Sequence, residues 1–302
     1  MRALFLFLSR QKQLRRCMET SALGCRLSSR FIAGHSLNQA LTVVRNVTAR
    51  NGTFTTLDFL GESITSLDEA AACRDEYLRT LQELAGAGLE ANVSLKLTQF
   101  GLDHSQSTCL DNAARVVQAA TAVDGFVRID MESSVYTDRT LDVVRNLHAR
   151  SEHVGAVIQA YLFRSAYDVE DLCARRIRVR LCKGAYLESP EVAFQSKRDV
   201  DANYVRLMKR LLEAGVYPAL ATHDEAIIRE TCRHVEERGI ERNRFEFQML
   251  FGVRRDLQGR LAARGYRVRL YVPYGDAWYP YVMRRLAERP ANVGFLLRNL
   301  FR

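Results

Sequence analysis

From residue 55 onward the chain alternates short apolar runs with segments of helical period, and this alternation restricts its fold more than any other feature. The runs Thr55–Leu60, Asn92–Thr98, Phe126–Met131, Gly155–Ala160, Ile177–Cys182, Pro218–Thr222, Phe245–Met249 and Tyr266–Val272 give eight candidate strands. Between them lie helical patterns at Asp68–Ala87, Leu110–Ala122, Asp138–Arg150, Asp168–Ala174, Asp199–Ala214, Asp224–Arg238, Arg254–Ala263 and Asp276–Glu288. Gly88, Gly215, Gly239 and Gly265 follow four of these helices, the usual stop signal. Near-continuous apolar strands separated by amphipathic helices imply parallel strands covered by helices. Eight such units in about 250 residues point to a closed (βα)8 barrel. An open doubly wound sheet normally carries a glycine-rich phosphate turn after its first strand. Here the first strand runs into Leu60-Gly61-Glu62-Ser63, with no GxGxxG, which favours the barrel.

The 302 residues contain no low-complexity segment and no linker, so one domain is expected, with N-terminal helices over 1–50 and the barrel over 51–302. Met1 to Arg30 and Leu37 to Arg50 have helical spacing, with Gly34 and Ser36 between them as C-cap and N-cap. Ala3 to Leu8 is too short an apolar run to span a bilayer. Its basic residues follow it, unlike those of a secretory signal. A core-facing or surface-docking helix is the better reading of this region, with a short Arg-rich organelle-targeting segment as the alternative. Seven cysteines, an odd number without a CxxC, suggest neither a disulfide framework nor a zinc site. The net charge of +9 comes almost wholly from Arg scattered along the chain. A nucleic-acid binder concentrates its charge on one face, so no nucleic-acid partner is expected. Solvated, Arg-rich helix faces account for most of it, and weak attraction to anionic membrane surfaces or acidic substrates is the remaining use of that charge.

Active sites of such barrels sit at the C-terminal ends of the strands. The eight candidate strands bring there Glu62; Lys96 with Thr98 and Gln99; Asp130 and Glu132; Gln159, Tyr161 and Arg164; Arg180 with Lys183-Gly184-Ala185-Tyr186; Thr222-His223-Asp224; Glu246 and Gln248; and Tyr271, followed by Arg284 and Arg285. Charges inside otherwise buried runs cost several kcal/mol unless paired or bound to a ligand. One such residue is as readily a salt bridge plugging the barrel. At five or more strand ends a functional site is the better account. The cations suggest an anionic ligand, and adjacent arginines can clamp a carboxylate. Arg284 and Arg285 lie about 100° apart on a helix, so both face the mouth only with a shared tilt. Lys96 or Lys183 could instead serve as a Schiff-base nucleophile, an aldolase-like alternative. No GxSxG or HExxH occurs, and the histidines are too dispersed for a metal site. The residues alone lead to a barrel enzyme or binder for a small anionic ligand.

Nine stretches at these strand ends resemble the proline dehydrogenase family, in its single-function bacterial form: LGES (60–63), SLKLTQFGLD (94–103), RIDMESS (128–134), VIQAYLFRS (157–165), VRLCKGAYLE (179–188), ATHDE (221–225), FEFQMLFGVR (245–254), YVPYG (271–275) and RRLAERPAN (284–292). The resemblance implies a distorted (βα)8 TIM barrel holding FAD without a covalent link. It implies oxidation of L-proline to 1-pyrroline-5-carboxylate, with hydride passing from proline C5 to flavin N5 and electrons then passing to a membrane quinone. Lys96, Arg284 and Arg285 match the residues that grip the substrate carboxylate. Asp130, Tyr271, Leu250, Ala185 and Tyr281 match the substrate pocket, and Glu62 an acid pairing with the first arginine as a gate. Gln159, Arg180, Lys183, His223, Gln248 and Glu288 match flavin contacts, with Ala160, Val179, Gly184, Ala185, Tyr186 and Thr222 nearby. A cation at Arg180 would favour the reduced ring, and Lys96, Asp130, Arg180 and Tyr271 are the residues expected to carry catalysis. No general base is assigned. Cys182 departs from a position where an aliphatic residue is common and is expected to pack. No aldehyde-dehydrogenase segment follows the barrel, so the product is expected to be handed elsewhere, and no DNA-binding extension precedes it. The expected compartment is the bacterial cytoplasm with peripheral contact at the inner membrane, the mitochondrial matrix standing second.

Overall fold

The computed structural model describes residues 28–61 and 64–288 together with positions 11, 18, 19, 21 and 24; of residues 50, 51 and 284–288 it describes the backbone alone. Eight strands, β1 (Phe54–Phe59), β2 (Asn92–Leu95), β3 (Phe126–Ile129), β4 (Val154–Gln159), β5 (Arg178–Cys182), β6 (Ala219–Ala221), β7 (Glu246–Leu250) and β8 (Val268–Tyr274), follow one another around a closed barrel. Every neighbouring pair is parallel, and β8 returns to β1 with Phe54 opposite Arg269 and Phe59 opposite Tyr274. Parallel neighbours need crossovers, and a helix supplies each one. These are α2 (Leu67–Gly86), α3 (Gln106–Ala122), α4 (Thr137–His148), α5 (Ser165–Ala174), α6 (Lys197–Ala214), α7 (Glu225–Glu237) and α8 (Arg255–Ala263), with α9 (Trp278–Glu288) after the last strand. The closed barrel is the expected one.

Helix α1 (Leu37–Asn51) precedes the barrel and lies against β1 and β8. It buries Leu37, Ala40, Leu41 and Val44, one stripe at helical spacing, in the same core as the strands. Ser36 is its N-cap, as expected, and the Gln39 side chain returns to the His35 backbone N–H at 2.7 Å. The segment before it is tied to the barrel by Ala33 N–H on the Pro273 carbonyl, 2.8 Å, and by Gly275 N–H on the Gly34 carbonyl, 3.0 Å. The helix expected over 1–30 lies almost wholly outside the described residues.

Most expected elements differ from the observed ones only at their ends, and the differences have local causes. The second strand stops at Leu95 rather than Thr98, and Leu97–Phe100 forms a 3-10 turn. Thr98 is held there by Glu132, which accepts from its backbone N–H at 3.1 Å and from its hydroxyl at 2.7 Å. Helix α3 begins at Gln106 because Ser105 caps it, accepting from Thr108 N–H at 3.2 Å. Ser196 caps α6 in the same way through Asp199 N–H at 3.1 Å. Gly88, Gly239 and Gly265 take the left-handed conformation expected of helix stops. Gly215 does not: its φ is −79°, and Tyr217, at φ 44°, makes the left-handed turn two residues later.

The outer wall of the barrel is apolar, but much of its axis is not. Ser94, Arg128, Arg180, Glu246, Gln248 and Arg269 are all buried. Near the N-terminal end, Arg269 donates through Nε to both oxygens of Glu246, at 2.9 and 3.0 Å, and reaches Glu90 through Nη1 and Nη2 at 3.0 and 2.8 Å. Arg178 stacks on the Phe126 and Tyr217 rings at the same end, 4.4 and 4.6 Å from their centroids. The barrel is thus stoppered at its N-terminal end by paired charges, and its open end is the one where the strands finish. Cys73, Cys109, Cys173, Cys182 and Cys232 are free, and burial pushes the Cys73 and Cys109 thiols up to about 12, which leaves them inert. No helix among the described residues is long and apolar enough to cross a membrane.

Candidate active site

A cleft of about 640 Å³ opens at the C-terminal end of the strands. Asp130, one residue past β3, is its hub. Asp130 Oδ1 accepts from Arg180 Nη1 at 2.7 Å and from Ser94 Oγ at 2.8 Å. Asp130 Oδ2 accepts from Tyr271 OH at 2.8 Å and lies 3.9 Å from Lys96 Nζ. Four strands, β2, β3, β5 and β8, therefore meet on one carboxylate. The Arg180 guanidinium also lies 5.3 Å from the centre of the Tyr271 ring. Burial, then the charges of Asp130 and Asp58, push the Tyr271 phenol far above its ordinary range, so it stays a neutral donor.

Lys96 is paired a second time. Its Nζ donates to Asp58 Oδ1 at 2.9 Å, and Asp58 is wholly buried on β1. Burial alone would lower the lysine pKa, but the carboxylates of Asp58 and Asp130 outweigh it and hold the amine above its ordinary value. Lys96 is thus a fixed ammonium, the wrong state for a nucleophilic amine. Asp58 was missed in the sequence. Its signal was a lone carboxylate inside the run Thr55–Leu60, which demanded a buried cation.

A second group of charges stands at the mouth. Lys183 donates to Asp224 at 2.9 Å and to Asp201, and Lys197 bridges to the same two carboxylates. Partial burial works against ionisation of Asp224, but the hydrogen bond and charge of Lys183 prevail and bring its carboxyl down to about 2. Asp201 was also missed, because it sits within a helical pattern that reads as a solvated face. His223 Nε2 accepts from Leu250 N–H at 3.0 Å, so a neutral His223 carries its proton on Nδ1.

Of the residues singled out in the sequence, Lys96, Asp130, Gln159, Arg180, Lys183, Gly184, Ala185, Tyr186, Thr222, His223, Gln248, Leu250, Tyr271 and Tyr281 line the cleft. Ala160 and Val179 do not; both are buried behind it. Cys182, expected to pack, is half-buried and forms part of the cleft wall. Glu62 lies outside the described residues, as do the side chains of Arg284, Arg285 and Glu288. Gly184 takes φ +120°, and a Cβ there would stand 2.4 Å from the Tyr161 ring. Glycine is required at that turn on both counts.

The family model for proline dehydrogenase matches residues 41–298. The chain belongs to the proline dehydrogenase family. It is 42% identical to proline dehydrogenase 1 of Bacillus subtilis over 303 residues, covering 100% of this chain and 99% of that one. It is 42% identical to the proline dehydrogenase of Deinococcus radiodurans, covering 91% of this chain and 90% of that one. Among solved structures it is similar to proline utilization A from Bdellovibrio bacteriovorus inactivated by N-propargylglycine, with TM-score 0.83 and 29% identity, over 90% of this chain. The chain spans about a third of that longer protein, 33% of its length. As a member of the proline dehydrogenase family the chain is an oxidoreductase, and the cleft at the strand ends is its candidate active site.

Proposed function

We propose that this protein oxidises L-proline to 1-pyrroline-5-carboxylate with FAD in the cleft, as the first step of proline catabolism, and passes the electrons to a quinone. The observation that carries the reading is a buried donor awaiting an acceptor. Arg180 Nη2 finds no hydrogen-bond partner among the described residues, while Nη1 and Nε of the same guanidinium are both engaged. Leaving such a group unmet costs about 1–3 kcal/mol, more when charged, so the site is built for something with acceptor atoms. The cleft is large enough for a cofactor and a small substrate. Its donors suit a flavin dinucleotide: Arg180 and Gln159 deep in the cleft, Lys183 and His223 nearer the mouth.

When bound, the flavin supplies the acceptor, its N5, for the hydride that leaves proline C5. The chain's own residues bind and orient. Lys96, kept as an ammonium, would meet the proline carboxylate, a role it is proposed to share with Arg284 and Arg285, with Glu62 as the acid proposed to pair with Arg284. Positions 284 and 285 follow Tyr281 by three and four residues on α9, and Tyr281 lines the cleft. Asp130, Leu250, Tyr271, Tyr281 and Ala185 form the pocket around the substrate ring. Gln159, Arg180, Lys183, Gly184, Tyr186, Thr222, His223, Gln248 and Glu288 hold the cofactor. Fixing both reactants in one geometry is the main source of rate, and the positive Arg180 favours negative charge gathering beside it.

The test is the visible spectrum of the purified protein before and after anaerobic L-proline. Flavin bands that bleach support cofactor, reaction and substrate together. Bands that persist keep the flavin and remove proline. A protein that takes up no flavin, even with FAD added, overturns the reading.

A further inference from the structure

Arg180 enters the cleft at the end of a buried hydrogen-bond chain that starts at the stoppered end of the barrel. Arg269 donates to both oxygens of Glu246, Glu246 Oε1 accepts from Gln248 Nε2, and Gln248 Oε1 accepts from Arg180 Nε. Arg269, Glu246, Gln248 and Arg180 are 4%, 2%, 4% and 5% exposed, so no solvent competes for these bonds. A side-chain amide can present either its carbonyl or its NH2 to a neighbour. Gln248 has no such choice. An ionised carboxylate only accepts and a guanidinium only donates, so the NH2 must face Glu246 and the carbonyl must face Arg180. Burial alone would favour the neutral acid at Glu246, but the charge and hydrogen bond of Arg269 outweigh it and hold the carboxyl below its usual range. With Nε fixed by Gln248 and Nη1 by Asp130 and Ser94, the plane of the guanidinium is set, and with it the direction of Nη2.

We infer that Glu246 is a positioning residue for Arg180, acting through the side-chain amide of Gln248. The inference rests on the proposed role of Arg180 toward a flavin. Glu246 touches neither substrate nor cofactor. It anchors the NH2 end of Gln248, which keeps the carbonyl end on Arg180 Nε and so fixes where the unmet donor of Arg180 points.

The discriminating variant is Glu246→Leu. Glu246 Oε1 accepts from both Arg269 Nε and Gln248 Nε2, so leucine removes the acceptor that anchors the amide and frees Gln248 to swing its carbonyl off Arg180 Nε. In the flavin-loaded variant, kcat with L-proline is expected to fall on the order of tenfold while KM stays within about twofold, and the flavin reduction potential to move negative. Glu246→Gln can keep an amide oxygen for both donors, with its NH2 toward the Tyr217 hydroxyl that meets Oε2, and is expected to retain most of the wild-type kcat and potential. Gln248→Leu, which removes the amide and keeps the Arg269–Glu246 pair, is expected to show both losses, and the double leucine variant to match Gln248→Leu alone. Glu90→Gln loosens Arg269 without altering the acceptor that Gln248 meets, and is expected to keep wild-type kcat and potential. Wild-type potential in Glu246→Leu, equal losses in Glu246→Gln or Glu90→Gln, or additive losses in the double variant would each overturn the inference. If Glu246→Leu does not fold, wild-type kcat and potential in Gln248→Leu overturn it instead. A wild-type protein without flavin, or one whose flavin ignores proline, would sink the proposed function before any variant is made.

Discussion

The hydroxyl of Tyr271 on β8 donates to Asp130 Oδ2 beyond β3, 2.8 Å across the mouth of the barrel. The same carboxylate takes Arg180 on its other oxygen at 2.7 Å. Tyr271→Phe keeps the ring over the guanidinium and deletes this one bond. Loss of a donor to a buried charged acceptor is worth about 1–3 kcal/mol, so kcat/KM for L-proline is expected to fall roughly 10- to 100-fold. Steady-state kinetics measure it, and an unchanged kcat/KM would show that Asp130 needs no orientation from Tyr271.

Asp58→Asn leaves Lys96 buried beside a neutral amide. Removing one partner of a buried ion pair costs about 3–5 kcal/mol, because the other charge stays desolvated. Urea unfolding is expected to show a loss of that order. A change below about 0.5 kcal/mol, the range of an ordinary surface substitution, would mean that Lys96 does not depend on Asp58.

Acid stability has a signature at the mouth. The Asp224 carboxyl is depressed from 3.8 to about 2 by Lys183. A group depressed in the folded state adds stability above its unfolded pKa and loses it as pH falls through the folded one. The wild-type protein is therefore expected to lose stability between about pH 4 and pH 2 more steeply than Asp224→Asn. Parallel acid limbs in denaturation curves of the two would refute the pairing.

Gly184→Ala forces a Cβ to within 2.4 Å of the Tyr161 ring at a φ of +120°. Backbone strain of this kind costs about 1–3 kcal/mol. The expected result is a lowered melting temperature together with weaker uptake of FAD by the flavin-free protein, followed by fluorescence titration. Wild-type values for both would show that the loop 183–186 can shift freely.

Under the proposed function, Arg285→Ala is expected to raise KM for L-proline about tenfold or more, since an arginine gripping the substrate carboxylate forms one of the strongest hydrogen-bonded pairs. Wild-type KM would remove the arginine from the carboxylate site.

The barrel was legible because its signal is repetitive: eight strands buried on both faces cannot hide in a sequence, and β4, with all six positions buried, reads as the continuous apolar run VGAVIQ. Element ends were less so. They depend on single capping contacts such as Ser105 on Thr108 N–H, or on a distant partner such as Glu132 on Thr98. Lys96, Asp130 and Arg180 stood out as charges inside apolar runs. Asp58 belongs to the same class but was not singled out, and its partner Lys96 lies 38 residues away. Asp201 was invisible, since an acid in the first turns of an amphipathic helix looks like solvent-facing charge. Glu246 could be seen at a strand, but not that its partners would be Arg269 and Gln248 rather than a ligand.

Among the described residues, the bar of charges from Glu90 through Arg269 to Glu246 stops the N-terminal end of the barrel and leaves the doorway at the strand ends, where the cleft opens. In the proposed reaction the amino acid enters by that doorway, its oxidised product leaves by it, and the electron acceptor must wait for it to clear. Such an arrangement favours an alternating order of events, in which each half of the turnover ends before the next visitor arrives. An acceptor too bulky to enter would instead have to draw its electrons from the threshold.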